Sequence, residues 1–212
     1  YQLFNAPAAG EFDLDGASIQ FIPLGLTSVR TTLLAVDYQN LGLGGLVRVL
    51  GGDGDDALVY NGTDSDDTFT LPGGGSNVVQ LSSLSGDYVP VDTDEDYGGS
   101  SVESLTLNGQ DGNDLFDITT GSDYTSIAVI GGNPSGSDVL QINDEYGGAG
   151  DTFSVNPGST PGTGDVNVNA QTVPYSGIEH IFLFGSDDYG GDALTVNDDG
   201  ADNTWDVTAG TV

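Results

Sequence analysis

The fold is decided by the stretch Val47-Arg48-Val49-Leu50-Gly51-Gly52-Asp53-Gly54-Asp55-Asp56-Ala57-Leu58-Val59-Tyr60. Apolar side chains recur at every second position near both of its ends, which predicts two short β-strands. The Gly/Asp run between them consists of turn-forming residues. The stretch therefore predicts a unit made of a strand, an acidic turn and a second strand.

The same unit recurs along the chain. Further copies cover residues 104–118, 127–142 and 181–196. A related acidic turn leads into a strand at each of three other places, residues 68–71, 152–155 and 204–207. A longer repeat relates Val102-Glu103-Ser104-Leu105-Thr106-Leu107 to Ile178-Glu179-His180-Ile181-Phe182-Leu183. Such internal repetition predicts a repeat architecture produced by duplication.

The spacing of the strands predicts how they pair. Their starts recur at nearly constant intervals, at Val47, Ala57, Thr68, Ser104, Leu115, Ser126, Val139 and Thr152. A constant step favours each strand lying parallel to the strand two steps back, with two strands per turn of the array. Residues 166–175 read instead as an antiparallel hairpin, and Pro174 suggests a sheet edge there.

The predicted fold class is therefore all-β. We expect an irregular parallel β-solenoid or β-roll with inserted antiparallel hairpins, and a tandem β-sandwich is the alternative. The repeats predict a first partial repeat over residues 1–60, a second over 61–142 and a third over 143–212, all in one continuous β array. The chain starts at Tyr1 without a leader and ends at Val212 without a terminator, so we expect it to be a segment of a larger product.

Charge and composition exclude several classes of function. The 212 residues carry 33 acidic side chains against two Arg, a formal net charge of −31, yet 36% are hydrophobic, so the chain should fold. Binding to nucleic acid or to anionic lipid needs basic side chains, so neither is expected, and no apolar run is long enough for direct membrane insertion. With no Cys, no Lys and His180 as the one His, thiol chemistry, hydrolytic triads and Schiff bases lack their parts. We therefore do not expect this chain to be an enzyme.

The acidic turns contain the candidate metal-binding residues. Residues 51–59 fit the nonapeptide Gly-Gly-x-Gly-x-Asp-x-apolar-x of calcium-binding β-helix repeats. Glycines permit a tight turn with inward carbonyls, Asp56 supplies a carboxylate, and Leu58 returns the chain to the core. All available ligands are hard oxygens, which Ca²⁺ prefers, so we expect several Ca²⁺ ions as cofactors.

The candidate metal ligands are side chains of these repeated turns together with the first glycine of the nonapeptide. They are Gly51, Asp53, Asp55, Asp56, Asp64, Asp66, Asp67, Asp111, Asn113, Asp114, Asp138, Asp144, Asp151, Asp187, Asp188, Asp192, Asp198 and Asp202. Carboxylates stacked in this way repel one another, so calcium is expected to stabilise the folded chain.

Residues 51–58 resemble the calcium-binding nonapeptides of the repeats-in-toxin family. The wider pattern, over most of residues 45–212 and more loosely over residues 1–44, is similar to repeats that fill giant secreted surface proteins of bacteria such as planctomycetes. The nonapeptides here are not in immediate tandem, unlike those of the toxins. The resemblance implies a calcium-binding, extracellular or cell-surface structural role.

Together, these observations predict an extracellular structural module, part of a surface fibre, sheath or surface layer, that assembles end to end with copies of itself or neighbouring repeats. The alternatives are the stalk of a calcium-dependent adhesin, with glycans as partners, and a secreted polysaccharide-active β-helix enzyme.

Asn61 lies in a glycosylation sequon inside an acidic turn. Arg30 and Arg48 are expected to pair with carboxylates.

Overall fold

A computed structural model describes residues 2–3, 10–15, 18–23, 35–37, 45–51, 55–83, 86–94, 102–133, 137–144, 150–186, 191–198 and 200. Up to residue 37 it describes the backbone alone. The described residues form β-strands and no helix, which confirms the all-β prediction. Among them, accordingly, no helix is long and apolar enough to span a membrane.

The strands form two mixed sheets, and neither closes on itself within the described chain. Sheet I contains β1 (Gln2–Leu3), β5 (Val47–Val49), β7 (Asp67–Leu71), β8 (Val78–Ser83), β9 (Gly86–Asp87), β10 (Val91–Asp92), β12 (Leu115–Thr119), β14 (Val139–Asn143) and β18 (His180–Phe184). Sheet II contains β2 (Gly10–Asp15), β3 (Ser18–Pro23), β4 (Ala35–Asp37), β6 (Ala57–Asn61), β11 (Ser104–Asn108), β13 (Ser126–Ile130), β15 (Thr152–Pro157), β16 (Gly164–Val168), β17 (Gln171–Ser176) and β19 (Ala193–Val196).

The centre of the molecule is a parallel stack in which the chain alternates between the two sheets. In sheet II, β6, β11, β13 and β17 lie side by side in parallel. In sheet I, β7, β12, β14 and β18 do the same. The strands that begin at Ser104, Leu115, Ser126 and Val139 therefore pair with the strand two steps back in the predicted series, as expected.

Antiparallel insertions interrupt this stack. After β7 the chain turns back into β8, and β9 and β10 also pair antiparallel with β8. The predicted hairpin is present as β16 and β17. The strand at Thr152 differs from the expected series: β15 pairs antiparallel with β16 and parallel with β19, because the hairpin occupies the edge of β13 that the series assigned to it.

Pro174 does not mark a sheet edge, because β17 lies between β16 and β13. Its position is nevertheless consistent with a missing N–H. Pro174 lies opposite Asp165 of β16, and the pairing with β13 begins one residue later, at Tyr175. The ladder thus avoids the residue that cannot donate a hydrogen bond.

The core lies between the two sheets and is built from alternate residues of each strand. Leu58 and Tyr60 of β6 point inward from sheet II, and Phe69 of β7 points inward from sheet I. The Phe69 ring stacks on Phe116 of the next strand at 5.2 Å and meets Tyr60 edge-on at 5.7 Å. These contacts hold the two sheets at a fixed spacing and so position the turns that join them.

Candidate metal site in the acidic turns

The turns that carry the chain from sheet II to sheet I place one acidic residue of each turn in a single column. Asp67, Asp114, Asp138 and Glu179 occupy equivalent positions beside the first residues of β7, β12, β14 and β18. We call these four residues the acidic column. The three Asp residues are buried, with exposed fractions of 2%, 1% and 0%. Three of the four were predicted as ligands, and the column is where the structure brings them together.

Hydrogen bonds run along the column from each backbone to the next carboxylate. The N–H of Asp67 donates to Oδ1 of Asp114 at 2.8 Å, and the N–H of Asp114 donates to Oδ1 of Asp138 at 2.8 Å. The N–H of Asp138 donates to Oε2 of Glu179 at 2.9 Å. Each carboxylate therefore caps the neighbouring strand, and such charge-assisted bonds are among the stronger hydrogen bonds in proteins.

The hydrogen bonding of the second carboxylate oxygen, Oδ2, differs from turn to turn. Oδ2 of Asp67 accepts the N–H of Thr63, which closes its own turn. Oδ2 of Asp114 and Oδ2 of Asp138 are buried and have no hydrogen-bond partner in the described structure. A buried anionic oxygen without a partner is costly, so these two atoms need a proton or a cation.

Glycines lie next to these two Oδ2 atoms and leave room for them. A Cβ on Gly109 would collide with Oδ2 of Asp114 and would lie 2.6 Å from the carbonyl oxygen of Gly131. A Cβ on Gly131 would lie 2.6 Å from Oδ2 of Asp138 and would collide with the carbonyl oxygen of Gly177. At both turns a carboxylate oxygen and a glycine carbonyl oxygen of the next turn thus converge beside a glycine Cα. Only a residue without a side chain permits this approach.

Burial raises the pKa of the carboxyl groups in the column. The pKa of Asp114 rises to about 7, mainly by desolvation, with further increases from the charges of Asp138 and Asp67, while its hydrogen bond with Asp67 opposes the rise. Desolvation also raises the pKa values of Asp67 and Asp138. Without a cation, burial in the column therefore favours the protonated form of these three carboxyl groups.

A second group of carboxylates lies where the strands β14, β15 and β19 meet their turns. Asp144 accepts a hydrogen bond from the Thr120 hydroxyl, and its carboxyl group is close enough to that of Asp151 for the two pKa values to depend on each other. Desolvation raises the pKa of Asp144, whereas the hydrogen bond from Asp144 lowers the pKa of Asp151. Asp151 also receives the N–H of Ser186 at 2.9 Å and gives its own N–H to Asp192 at 3.0 Å. The pKa values of this pair are therefore shifted in opposite directions, up for Asp144 and down for Asp151.

Asp56, the carboxylate of the best nonapeptide match, lies on the other side of the stack. Its side chain is buried, and its N–H donates to Oε2 of Glu103 at 2.7 Å. The capping pattern of the acidic column therefore recurs here, with Glu103 in the capping position. The flanking Asp53 lies outside the described residues, and Asp55 is exposed.

The remaining predicted ligands are divided between the surface and the undescribed part of the chain. Gly51 is buried in the strand end before its turn. The exposed members are Asp64, Asp66, Asp111, Asn113, Asp192 and Asp198. The positions outside the described residues are Asp187, Asp188 and Asp202.

Sequence reasoning missed Glu103 and Glu179 as members of these arrangements. Each lies directly before a strand, in the two stretches that the longer repeat relates. Glu179 closes the acidic column, and Glu103 caps Asp56. The longer repeat was a signal for both, since it places a Glu directly before a strand in each copy, although β11 lies in sheet II and β18 in sheet I.

The types of oxygen atom in the column are those that bind calcium. Carboxylate and carbonyl oxygens are the ligands that Ca²⁺ takes, usually six to eight of them. Among the described residues, no three or more His, Cys, Asp or Glu side chains form a group that could hold a metal ion. An ion at Asp114 and Asp138 would therefore depend on glycine carbonyls and water for the rest of its ligands.

Three other sequence expectations can be placed. Arg48 forms the expected ion pair, with its Nη2 2.8 Å from Oδ2 of Asp92, while Arg30 lies outside the described residues. His180 is exposed on the outer side of β18. Asn61 is half-buried and its side-chain oxygen accepts a hydrogen bond from Asn108 at 2.8 Å, so the sequon is engaged in the stack.

No protein-family model matches the chain, and neither the curated proteins nor the solved structures contain a significant match.

Proposed function

We propose that this chain is a calcium-stabilised structural module of an extracellular or cell-surface assembly. The observation that carries the proposal is the acidic column, in which Oδ2 of Asp114 and Oδ2 of Asp138 are buried without a partner. The placement outside the cell rests on the sequence: the absence of Cys, the one-sided acidity and the resemblance to secreted surface repeats.

Calcium is the species that best completes the column. Within the described residues the one Arg is Arg48, and it is paired with Asp92, so no basic side chain neutralises the column. The remaining choices are protons, which the raised pKa values allow, or a cation that accepts hard oxygen ligands. In an acidic chain with a net charge of −31, binding divalent cations also reduces repulsion between the stacked turns.

Metal content and thermal stability test this part of the proposal. We expect native mass spectrometry to find bound calcium and the melting temperature to rise with free calcium, since ligand binding to the folded state adds to its stability. Magnesium at equal concentration is the control, because it demands stricter octahedral geometry and should stabilise less. A metal-free protein whose melting temperature does not respond to calcium would contradict the proposal.

Assembly at the end of the stack is the second part. Among the described strands, β18 is the last in sheet I and β19 the last in sheet II. Phe182 is 51% exposed, Phe184 49%, Leu194 60% and Val196 43%. Apolar side chains on strands at the end of a sheet favour addition of a further strand, and another copy or a neighbouring repeat supplies one.

Light scattering and negative-stain microscopy in calcium test the assembly. We expect concentration-dependent rods or filaments for the native chain and a shift to monomers for Phe182→Thr, which keeps a strand-forming residue but removes the apolar surface. Thr106→Val, on the outer face of β11, is the control that should leave assembly unchanged. A chain that stays monomeric at all concentrations would remove the assembly from the proposal and leave the calcium part standing.

A calcium-dependent adhesin stalk is the second candidate function. The observation that favours it is an open cleft on the outer face of sheet I, which is built from polar side chains and an aromatic ring.

A further inference from the structure

The cleft lies where the inserted strands fold against the parallel stack. Its volume is about 440 Å³, which falls within the ~300–1,000 Å³ of typical ligand sites. The lining residues are Gly45, Thr68, Thr70, Gln80, Leu81, Ser82, Asp87, Tyr88, Val89 and Pro90. Its floor is set by strand register, since Thr68 lies opposite Ser82 and Thr70 opposite Gln80. These four side chains share the outer face, because Phe69 and Leu81 between them point into the core.

Five polar side chains of the cleft make no hydrogen bond to other described residues. In the part of the chain that the structure describes, no hydrogen bond involves the side chains of Thr68, Thr70, Gln80, Ser82 or Asp87. Two strands away on the same face the situation is different. There Gln141 donates to Asp117 at 2.9 Å, and Asn143 donates to the same carboxylate at 2.7 Å. These five side chains are thus available to a ligand, whereas Gln141, Asn143 and Asp117 bond to one another.

The chemistry of these groups selects the ligand. Three hydroxyl groups and an amide both donate and accept hydrogen bonds, and Asp87 accepts. Tyr88, Val89 and Pro90 add an apolar wall. A ligand that matches this lining carries many hydroxyl groups and also apolar C–H faces, which is the surface of a sugar ring. No Lys or Arg is among the described residues that line the cleft and the chain is strongly acidic, so uronic acids and sulfated sugars are disfavoured.

We propose that the cleft binds a neutral oligosaccharide, held by Gln80, Asp87 and the Thr and Ser hydroxyls. This goes beyond a structural role, since it gives the module a partner at the surface. It does not depend on calcium occupying the acidic column, because none of the cleft residues belongs to it.

The test is titration of the full chain, in calcium, with neutral gluco-, manno-, galacto- and xylo-oligosaccharides, followed by NMR or calorimetry. We expect at least one of them to bind. Gln80→Ala and Asp87→Ala should each weaken that binding about tenfold, the loss expected for a ligand hydrogen bond that is replaced by nothing. Both residues are exposed, so neither change should alter the melting temperature.

Gln141→Ala is the matched control, since it removes the same side chain from the same face outside the cleft. It should leave the affinity for the sugar unchanged. The proposal is overturned if the folded native chain binds none of the neutral sugars at millimolar concentration. It is equally overturned if Gln141→Ala weakens binding as much as Gln80→Ala, or if acidic oligosaccharides or extended peptides bind in preference.

Discussion

The backbone N–H of Asp67 donates a hydrogen bond to Oδ1 of Asp114 at 2.8 Å, although 47 residues separate the two in sequence. The bond forms because Thr68 and Leu115 are paired in parallel register, which places the preceding residues side by side. One carboxylate therefore has two tasks: one oxygen caps the neighbouring strand, and the other faces the interior of its own turn. Substitutions that separate these tasks show which of them the fold needs.

Asp114→Asn keeps the capping oxygen and removes the buried charge. Its amide nitrogen would replace Oδ2, near the carbonyl oxygen of Gly131, and would give that position a donor. We expect the calcium-free protein to gain about 1 kcal/mol in unfolding free energy, since an unpartnered buried acceptor disappears. The stabilisation by calcium should decrease at the same time. Chemical denaturation with and without calcium measures both quantities.

Asp111→Asn is the control for that change, because it removes an exposed charge from the same turn. It should alter the unfolding free energy by less than about 0.5 kcal/mol. Asp114→Ala, by contrast, removes the cap and leaves the Asp67 N–H unpaired, at an expected cost of about 1–3 kcal/mol. Equal stability of Asp114→Ala and Asp114→Asn would show that the cap contributes nothing.

Gly109→Ala tests the close approach of the turns. The new Cβ would collide with the Asp114 carboxylate and lie 2.6 Å from the Gly131 carbonyl oxygen, and the backbone atom cannot rotate away. We expect a loss of about 1–3 kcal/mol, the usual cost of overpacking a buried site. Gly191→Ala is the matched control, because a Cβ there meets none of the described atoms within 4 Å, and its melting temperature should stay near that of the native chain. A neutral Gly109→Ala would mean that the turns do not pack this closely.

Arg48 and Asp92 form an ion pair that joins two strands of sheet I. Asp92 lies opposite Arg48 in the parallel pairing of β10 with β5, and its side chain is 5% exposed against 34% for Arg48. Arg48→Gln should therefore cost about 1–3 kcal/mol, mostly because the buried carboxylate of Asp92 loses its charge partner. Adding Asp92→Asn should recover part of that loss, as urea denaturation of the single and double variants would show. Additive losses would rule out a direct coupling.

Strand positions were predictable from sequence because alternation and Gly/Asp turns are local signals. The strands beginning at Ser104 and Leu115 start where the pattern places them and pair as the constant step predicts. Thr152 shows where this reasoning ends. The strands at Thr152 and Thr68 each pair antiparallel with an inserted strand, β16 and β8 respectively, and neither pairs with the strand two steps back, because local pattern specifies a strand but not its neighbour.

For the candidate site, too, the sequence identified the residues but not their contacts. Asp67, Asp114 and Asp138 were identified as candidate ligands because each precedes a strand in a Gly/Asp turn. Their capping bonds to one another depend on register between strands distant in sequence, which no turn motif specifies. The cleft was unpredictable for a related reason. It needs the inserted strand β8 beside β7, and the four floor residues carry no motif of their own.

The dependence of stability on pH distinguishes protons from calcium in the column. In the folded, calcium-free protein the pKa of Asp114 is raised from the usual 3.8 to about 7, and those of Asp67 and Asp138 also rise. Folding then takes up protons, so their contribution is present at low pH and is lost as pH rises through the folded pKa values. Asp151, whose pKa is lowered, acts only below its usual value of 3.8 and leaves this window unaffected.

We therefore expect the unfolding free energy of metal-free protein to fall between about pH 5 and about pH 8. Calcium competes with these protons, so its stabilisation should be larger at the higher pH. Urea denaturation of metal-depleted and calcium-loaded protein at both pH values measures this, and Asp114→Asn should flatten the calcium-free profile. Calcium-free stability that increases toward pH 8 would mean that the buried carboxylates are already ionised and compensated, and the column would then be a purely structural cap.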